Sequence, residues 1–215
     1  MKKITFYFDF LSPFSYFAWA DLHHSGLQID YKPVALGPLL NQWGIKGPGE
    51  VTPKREFLLK QCLRYAAEKK MPFTTPKTHP FNSLYALRLA LKSTAGDLQG
   101  QVIACLWKAG WQDRIDMGEP DELLAALKGQ GLPAEELYEK SFTREAKQEL
   151  KANIQEAVGY GVFGVPSFVA QGELFWGKDS IPDLLRFIQG NDLLDRSKLE
   201  MLLASTPRAA AQQIT

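Results

Sequence analysis

"DFLSPFSYF", residues 9–17, follows Ile4 to Phe8, a short run of β-branched and aromatic residues that is apolar almost throughout. Such a run reads as a strand buried on both faces. The nine residues after it carry the signals of a helix start. Ser12 is a candidate N-cap, and Pro13 takes the first helical position, where its missing N–H is no loss. Phe14, Phe17, Ala18 and Leu22 then share one face, and Gly26 supplies a C-terminal stop. Leu27, Ile29 and Tyr31 alternate toward Pro33, which predicts a second strand. The chain opens as β-α-β.

Residues 37–53 are dense in glycine and proline and read as a long loop. From Lys54 to about Gly161 the apolar residues recur with helical period. Segments near 54–70, 82–95, 98–114, 120–129, 133–141 and 143–160 are separated by Gly, Pro or Asn stops. Strand character returns at Ser167 to Ala170. Gln171-Gly172 makes a turn and Glu173 to Trp176 the partner strand, before helices near 181–189 and 192–204. The expected fold class is therefore α/β, a four-stranded core (β-α-β … β-β-α) split by an all-helical insertion. Residues 1–45 and 160–204 are assigned to the core domain, 46–159 to the insertion and 205–215 to a flexible tail.

The chain has 215 residues and a formal net charge of +1, a balance that points neither to nucleic acid nor to an anionic membrane surface. No apolar run approaches the ~20 residues of a membrane-spanning helix. Lys2-Lys3, the apolar run and Ala18-Trp19-Ala20 imitate a signal peptide, but Asp9, Ser12, Pro13 and Ser15 interrupt it, so the segment reads as mature structure. Cys62 and Cys105 are the only cysteines, far apart and without redox or metal-ligand spacing, so they read as core residues. Such sparse cysteine usage fits the cytoplasm.

The order of elements is the layout of a thioredoxin-like fold with a helical insert. In redox proteins of that layout the start of the first helix holds C-x-x-C, because a helix N-terminus stabilises a thiolate. Here the slot reads "SPFS", which taken alone is only a helix start. "FGVPSF", residues 163–168, places Pro166 before the third core strand. In this layout such a proline is typically cis and faces the first helix, so that Val165 offers its backbone to an extended ligand. "WGKDS", residues 176–180, puts Asp179 and Ser180 at another helix start, as plain caps or as a site for the charged ends of a small ligand.

Together, "FYFDFLSPFSYFA" (6–18), "FGVPSF", "FWGKDS" (175–180) and Lys54 in "PKREFLLK" resemble the DsbA-related branch of kappa-class glutathione transferases and 2-hydroxychromene-2-carboxylate isomerases. The resemblance covers nearly the whole chain and implies glutathione as cofactor. Ser12 matches the catalytic serine that hydrogen-bonds the glutathione sulfur, and Val165 the residue pairing with the cysteinyl backbone. Asp179 and Ser180 match the γ-glutamyl site, and Lys54 the residue that meets the glycyl carboxylate. Ile45 stands where kappa-class enzymes carry an asparagine, with Asn41 the nearest substitute. The resemblance further implies a homodimer.

A serine cannot form mixed disulfides, so the sulfur must come with the ligand. A free thiol of pKa ~8.5 is only slightly ionised at neutral pH, and a hydroxyl donating to the thiolate would lower that pKa. The reading is a glutathione-dependent isomerase of 2-hydroxychromene-2-carboxylate-like aromatic-degradation intermediates, closer by motif to that group than to the transferases. Phe14, Trp43, Asn82 and Tyr85 are the candidate residues for a small aromatic acid. The alternatives are a kappa-class-like transferase and a redox-inactive peptide-binding module built on the Val165 edge.

Overall fold

In the computed structural model residues 3–23 and 25–206 are described. Strand β1 (Ile4–Phe8) lies at the centre of a four-stranded sheet of order β2-β1-β3-β4. β2 (Ile29–Pro33) runs parallel to β1, with Ile4 opposite Ile29. β3 (Ser167–Ala170) pairs antiparallel with β1, Phe6 opposite Phe168, and β4 (Glu173–Trp176) pairs antiparallel with β3. Both faces are covered, which is why β1 carries apolar residues on each. Phe6, Phe8 and Phe168 point to α1 (Pro13–His23) and α10 (Ile181–Gln189), while Tyr7 and Val169 point to Leu39, Ala157 and Val162. The stretch that imitates a signal peptide thus forms the central strand and first helix.

Between β2 and β3 lie α2 (Leu36–Gln42), α3 (Thr52–Lys69), α4 (Leu84–Leu89) and α5 (Lys92–Ala95). They are followed by α6 (Gln99–Trp111), α7 (Pro120–Gly129), α8 (Ala134–Ser141) and α9 (Arg144–Gly159). One continuous core joins the first face of the sheet to Leu87, Trp107, Leu123, Ala146 and Leu150 of these helices. α9 also covers the second face: Asn153 donates to the Pro33 carbonyl at 3.1 Å, and Tyr7 to Glu156 at 2.7 Å. The last helix, α11 (Arg196–Ser205), is capped by Asp195, which accepts from Lys198 N–H at 2.9 Å, so it starts four residues later than periodicity suggests. Of the expected tail, residues 207–215 lie outside the described residues.

Two expectations are corrected. The segment 37–53 is no simple loop, since it contains most of α2 and a 3₁₀ turn at Pro48–Glu50. Ala35 has no side chain to cap α2, and the Leu36 N–H goes instead to the Asp9 carboxylate at 2.8 Å. The helix expected over 82–95 is two, because Leu91 is extended and the chain restarts at Lys92. The Glu149 carboxylate accepts there from Lys92 N–H at 3.1 Å and Ser93 N–H at 2.8 Å, a remote cap at the positive end of a new helix.

Candidate active site

β1 and α1 are joined by residues 9–12, and distant side chains hold that turn. Asp9 is fully buried. One carboxylate oxygen accepts from Leu11 N–H at 3.0 Å, the other from Leu36 N–H at 2.8 Å and from the Ser83 hydroxyl at 3.2 Å. Burial pushes its pKa up to about 6, even though all three donors favour the ionised form. Trp111 donates its indole N–H to the Phe10 carbonyl at 3.0 Å. His79 Nε2 lies 2.9 Å from the Leu11 carbonyl oxygen, which can only accept, so this nitrogen carries the proton.

Ser12, 8% exposed, ends the turn and caps α1, its Oγ accepting from Ser15 N–H at 3.2 Å. The same hydroxyl lies 3.5 Å from the Val165 carbonyl, at the outer limit of a hydrogen bond. The Val165-Pro166 peptide is cis. Ser12 is therefore both a cap and a hydroxyl facing the backbone that precedes β3. That backbone is open, since among the described residues neither Val165 N–H nor its carbonyl has a backbone partner.

Lys54 and Arg55 stand in the first turn of α3, which holds no acidic residue, against the positive end of the helix. Among the described residues no carboxylate pairs with Lys54. It lines a cleft of about 260 Å³ with Pro48, Pro53, Phe57 and Leu58. A second cleft, of about 350 Å³, shares Phe57 and Leu58 with the first and includes Phe14, Tyr65, Lys178 and Asp179. A cation and an anion thus stand on linked clefts beside the start of α1.

Asp179 is almost fully exposed, and Lys178 reaches its carboxylate at 2.6 Å. The Lys178 ammonium also sits 4.0 Å over the ring of Tyr65, whose hydroxyl donates to Asp21. Neither Asp179 nor Ser180 caps α10 through its side chain. Ser180 Oγ turns back to the Gly177 carbonyl at 2.8 Å. Gly177 N–H donates to the Pro166 carbonyl at 2.8 Å, which ties this turn to the cis proline. The bland explanation of the Asp-Ser pair as helix caps is removed.

The residues expected to hold an aromatic acid are scattered. Phe14 lines the second cleft. Trp43 donates its indole N–H to the Val162 carbonyl at 2.8 Å. Asn82 accepts from Leu84 N–H at 3.1 Å in the turn into α4, and Tyr85 packs on Phe142, ring centroids 6.0 Å apart. Trp43, Asn82 and Tyr85 line neither cleft. Sequence reasoning passed over Asp9, His79, Tyr65 and Lys178. Asp9 alone had a local signal, a carboxylate at the end of an almost wholly apolar strand.

The model of the DSBA-like thioredoxin domain matches residues 3–189, which is most of the chain. The chain belongs to that family. Among curated relatives it is 29% identical over 193 residues to 2-hydroxychromene-2-carboxylate isomerase of Sphingobium xenophagum, covering 87% of this chain and 98% of that one. It is 26% identical over 207 residues to glutathione S-transferase kappa 1 of Homo sapiens, covering 88% and 91%. A solved structure of 2-hydroxychromene-2-carboxylate isomerase superposes with a TM-score of 0.77 at 24% identity, over 95% of this chain and 100% of that one, which shows the fold.

In this DSBA-like protein no cysteine stands at the start of α1. Cys62 and Cys105 are buried and unpaired, and burial pushes their thiols up to about 12 and about 11. A thiol so hard to ionise is a poor nucleophile. A Cys62→Ala, Cys105→Ala double variant is expected to keep most activity, losing only stability through the small cavities left in the core. A folded but inactive double variant, assayed beside wild type, would place the reactive thiol in the protein.

Proposed function

We propose that the protein is a glutathione-dependent isomerase acting on 2-hydroxychromene-2-carboxylate-like intermediates of aromatic degradation. The observation that carries this reading is the Ser12 hydroxyl at the start of α1, facing the open Val165 backbone, with both protein thiols buried elsewhere. The charges on the linked clefts fit a tripeptide with a carboxylate at one end and an α-ammonium at the other. Lys54 would pair with the glycyl carboxylate, Val165 with the cysteinyl backbone, and Asp179 and Ser180 with the γ-glutamyl end.

Held there, glutathione would supply a thiolate nucleophile for reversible addition to a conjugated double bond, chemistry with no net redox change. The protein's part is to hold and ionise. Ser12 Oγ–H, held only weakly by the Val165 carbonyl, would donate to the sulfur, and the N-terminus of α1 would add its partial positive charge. Asp9, Trp111 and His79 keep the turn that carries Ser12 from moving as the charge develops.

The relative named kappa transferase favours a second reading, in which the same thiolate attacks an electrophile and departs with it. Consumption of glutathione separates the two, since the isomerase returns it unchanged. The proposal includes a cytoplasmic homodimer acting on a small aromatic acid, with no nucleic-acid or membrane partner. Exposed Leu199, Leu202 and Leu203, which share one face of α11, support a second copy as partner. Among the described residues no helix is long and apolar enough to cross a membrane.

Lys54→Ala and Asp179→Ala are each expected to weaken glutathione binding by about 1.5–3 kcal/mol, the worth of a charge-assisted contact, without disturbing the fold. Titration calorimetry reads this directly. Wild-type affinity in both variants would sink the assignment, and with it the distinction from a peptide-binding module.

A further inference from the structure

Lys178 rests where neither helix electrostatics nor solvation favours a cation. It stands in the Lys178–Ser180 turn that leads into α10, at the positive end of that helix, and its side chain is only 16% exposed. The ammonium lies 4.0 Å over the Tyr65 ring and 2.6 Å from the Asp179 carboxylate. The ring is fixed in turn from α1, since its hydroxyl donates to Asp21 and its face packs on Phe17, centroids 4.7 Å apart. A phenol donating to a carboxylate becomes richer in electrons, which holds a cation over its face more firmly.

These groups belong to one cleft. Phe14 and Tyr65 line it together with Lys178 and Asp179, and α3 adds Arg64 and Glu68. The Lys178–Ser180 turn packs against α1, the helix that Ser12 caps. Asp179 is 90% exposed, so its carboxylate has room for a second cation. Among the described residues Lys178 has one ion pair, while an ammonium carries three donors. The cleft therefore offers both signs of charge side by side. A lone carboxylate entering it would meet Asp179, and a lone amine would meet Lys178. A group that carries ammonium and carboxylate on one carbon satisfies all four charges in an antiparallel pairing.

We propose that Lys178 and Asp179 read the free α-amino acid group of the thiol ligand as a pair, Lys178 taking its carboxylate and Asp179 its ammonium. The site thereby selects γ-glutamyl thiols over thiols without that group. This inference rests on the glutathione reading and makes Lys178 a specificity-determining residue of it. Tyr65 and Asp21 are positioning residues, which hold the lysine at the cleft. An exposed ion pair that only ties Lys178 to Asp179 is worth little, and it gives no reason to sink the lysine onto a ring.

The test is calorimetric titration of the full chain with glutathione and two analogues. One is 4-aminobutyryl-cysteinylglycine, which lacks only the α-carboxylate, and the other glutaryl-cysteinylglycine, which lacks only the α-ammonium. Wild type should bind each analogue about tenfold more weakly than glutathione, or worse. Lys178→Met keeps an apolar stem on Tyr65 but removes the charge. It should weaken glutathione about tenfold and leave the 4-aminobutyryl analogue no weaker than in wild type. Asp179→Asn should weaken glutathione and spare the glutaryl analogue. Equal losses on glutathione and the 4-aminobutyryl analogue in Lys178→Met would reduce Lys178 to packing and overturn the inference. Tighter glutathione binding in that variant would also overturn it, by making Lys178 a competitor of the ligand's ammonium for Asp179. So would carboxylate selectivity lost in Arg64→Ala and kept in Lys178→Met. In each of these cases wild type still binds glutathione and the cofactor reading stands. Wild type that binds no glutathione overturns that reading and this inference with it.

Discussion

Ser12→Ala is expected to bind glutathione through the remaining contacts but to raise the pKa of the bound thiol. A hydrogen bond to a charged group is worth ~1.5–3 kcal/mol, and one pKa unit is ~1.4 kcal/mol, so the rise should be about one to two units. The sign follows from which form is stabilised. Donation favours the thiolate, so its loss leaves less thiolate at neutral pH and more as the pH climbs. Turnover at pH 7 should fall about 10–100-fold and recover in part above pH 9. A helix cap alone predicts something else: ~1 kcal/mol less stability and nearly unchanged chemistry. The structure shows the cap, with Ser12 Oγ accepting from Ser15 N–H, and leaves the same hydroxyl facing Val165. Thiolate ultraviolet absorbance titrated with pH separates them. Coincident curves for wild type and variant would leave Ser12 a cap and remove the centre of the proposal.

Asp9 carries the largest structural effect. Asp9→Ala would strand three donors, Leu11 N–H, Leu36 N–H and the Ser83 hydroxyl, in a site without solvent. Each unsatisfied buried group costs ~1–3 kcal/mol, so a loss of roughly 3–5 kcal/mol is expected, with α2 and the active-site turn loosened together. The pH dependence is equally specific. The folded-state pKa is raised to about 6 by burial, against ~3.9 in an unfolded chain. A raised pKa means the fold favours the protonated form, so this contribution to stability is complete below pH ~4 and is lost as pH rises through about 6. The gap is worth ~3 kcal/mol. The difference in unfolding free energy between wild type and Asp9→Asn, in which other titrations cancel, should therefore decline from pH 4 to pH 7. Urea unfolding at intervals across that range measures it. A flat difference would mean that Asp9 keeps an ordinary pKa.

Among the regular elements, those with a local cause were legible. β1 shows as a run buried on both faces, α1 by Ser12 and Pro13, and α7 by Pro120 at its first turn. Backbone preference and side-chain periodicity act over a few residues, and a few residues can be read. The Ser12, Val165 and Asp179-Ser180 motifs were legible for the same reason, each marking the end of an element, where unpaired backbone groups gather.

Elements whose cause is remote were decided only in three dimensions. α2 begins on a carboxylate 27 residues upstream, and α5 on one 57 residues downstream. No window of sequence shows that Asp9 satisfies Leu36, because the partner is chosen by burial and not by spacing. The same holds for His79 beside the Leu11 carbonyl and for Lys178 over Tyr65. It holds again for Trp176, an unremarkable strand residue in sequence. Strand register alone brings its indole over Gly164, next to the backbone that faces Ser12. The Ser12 hydroxyl was written into one motif, but its surroundings depend on packing between segments far apart along the chain.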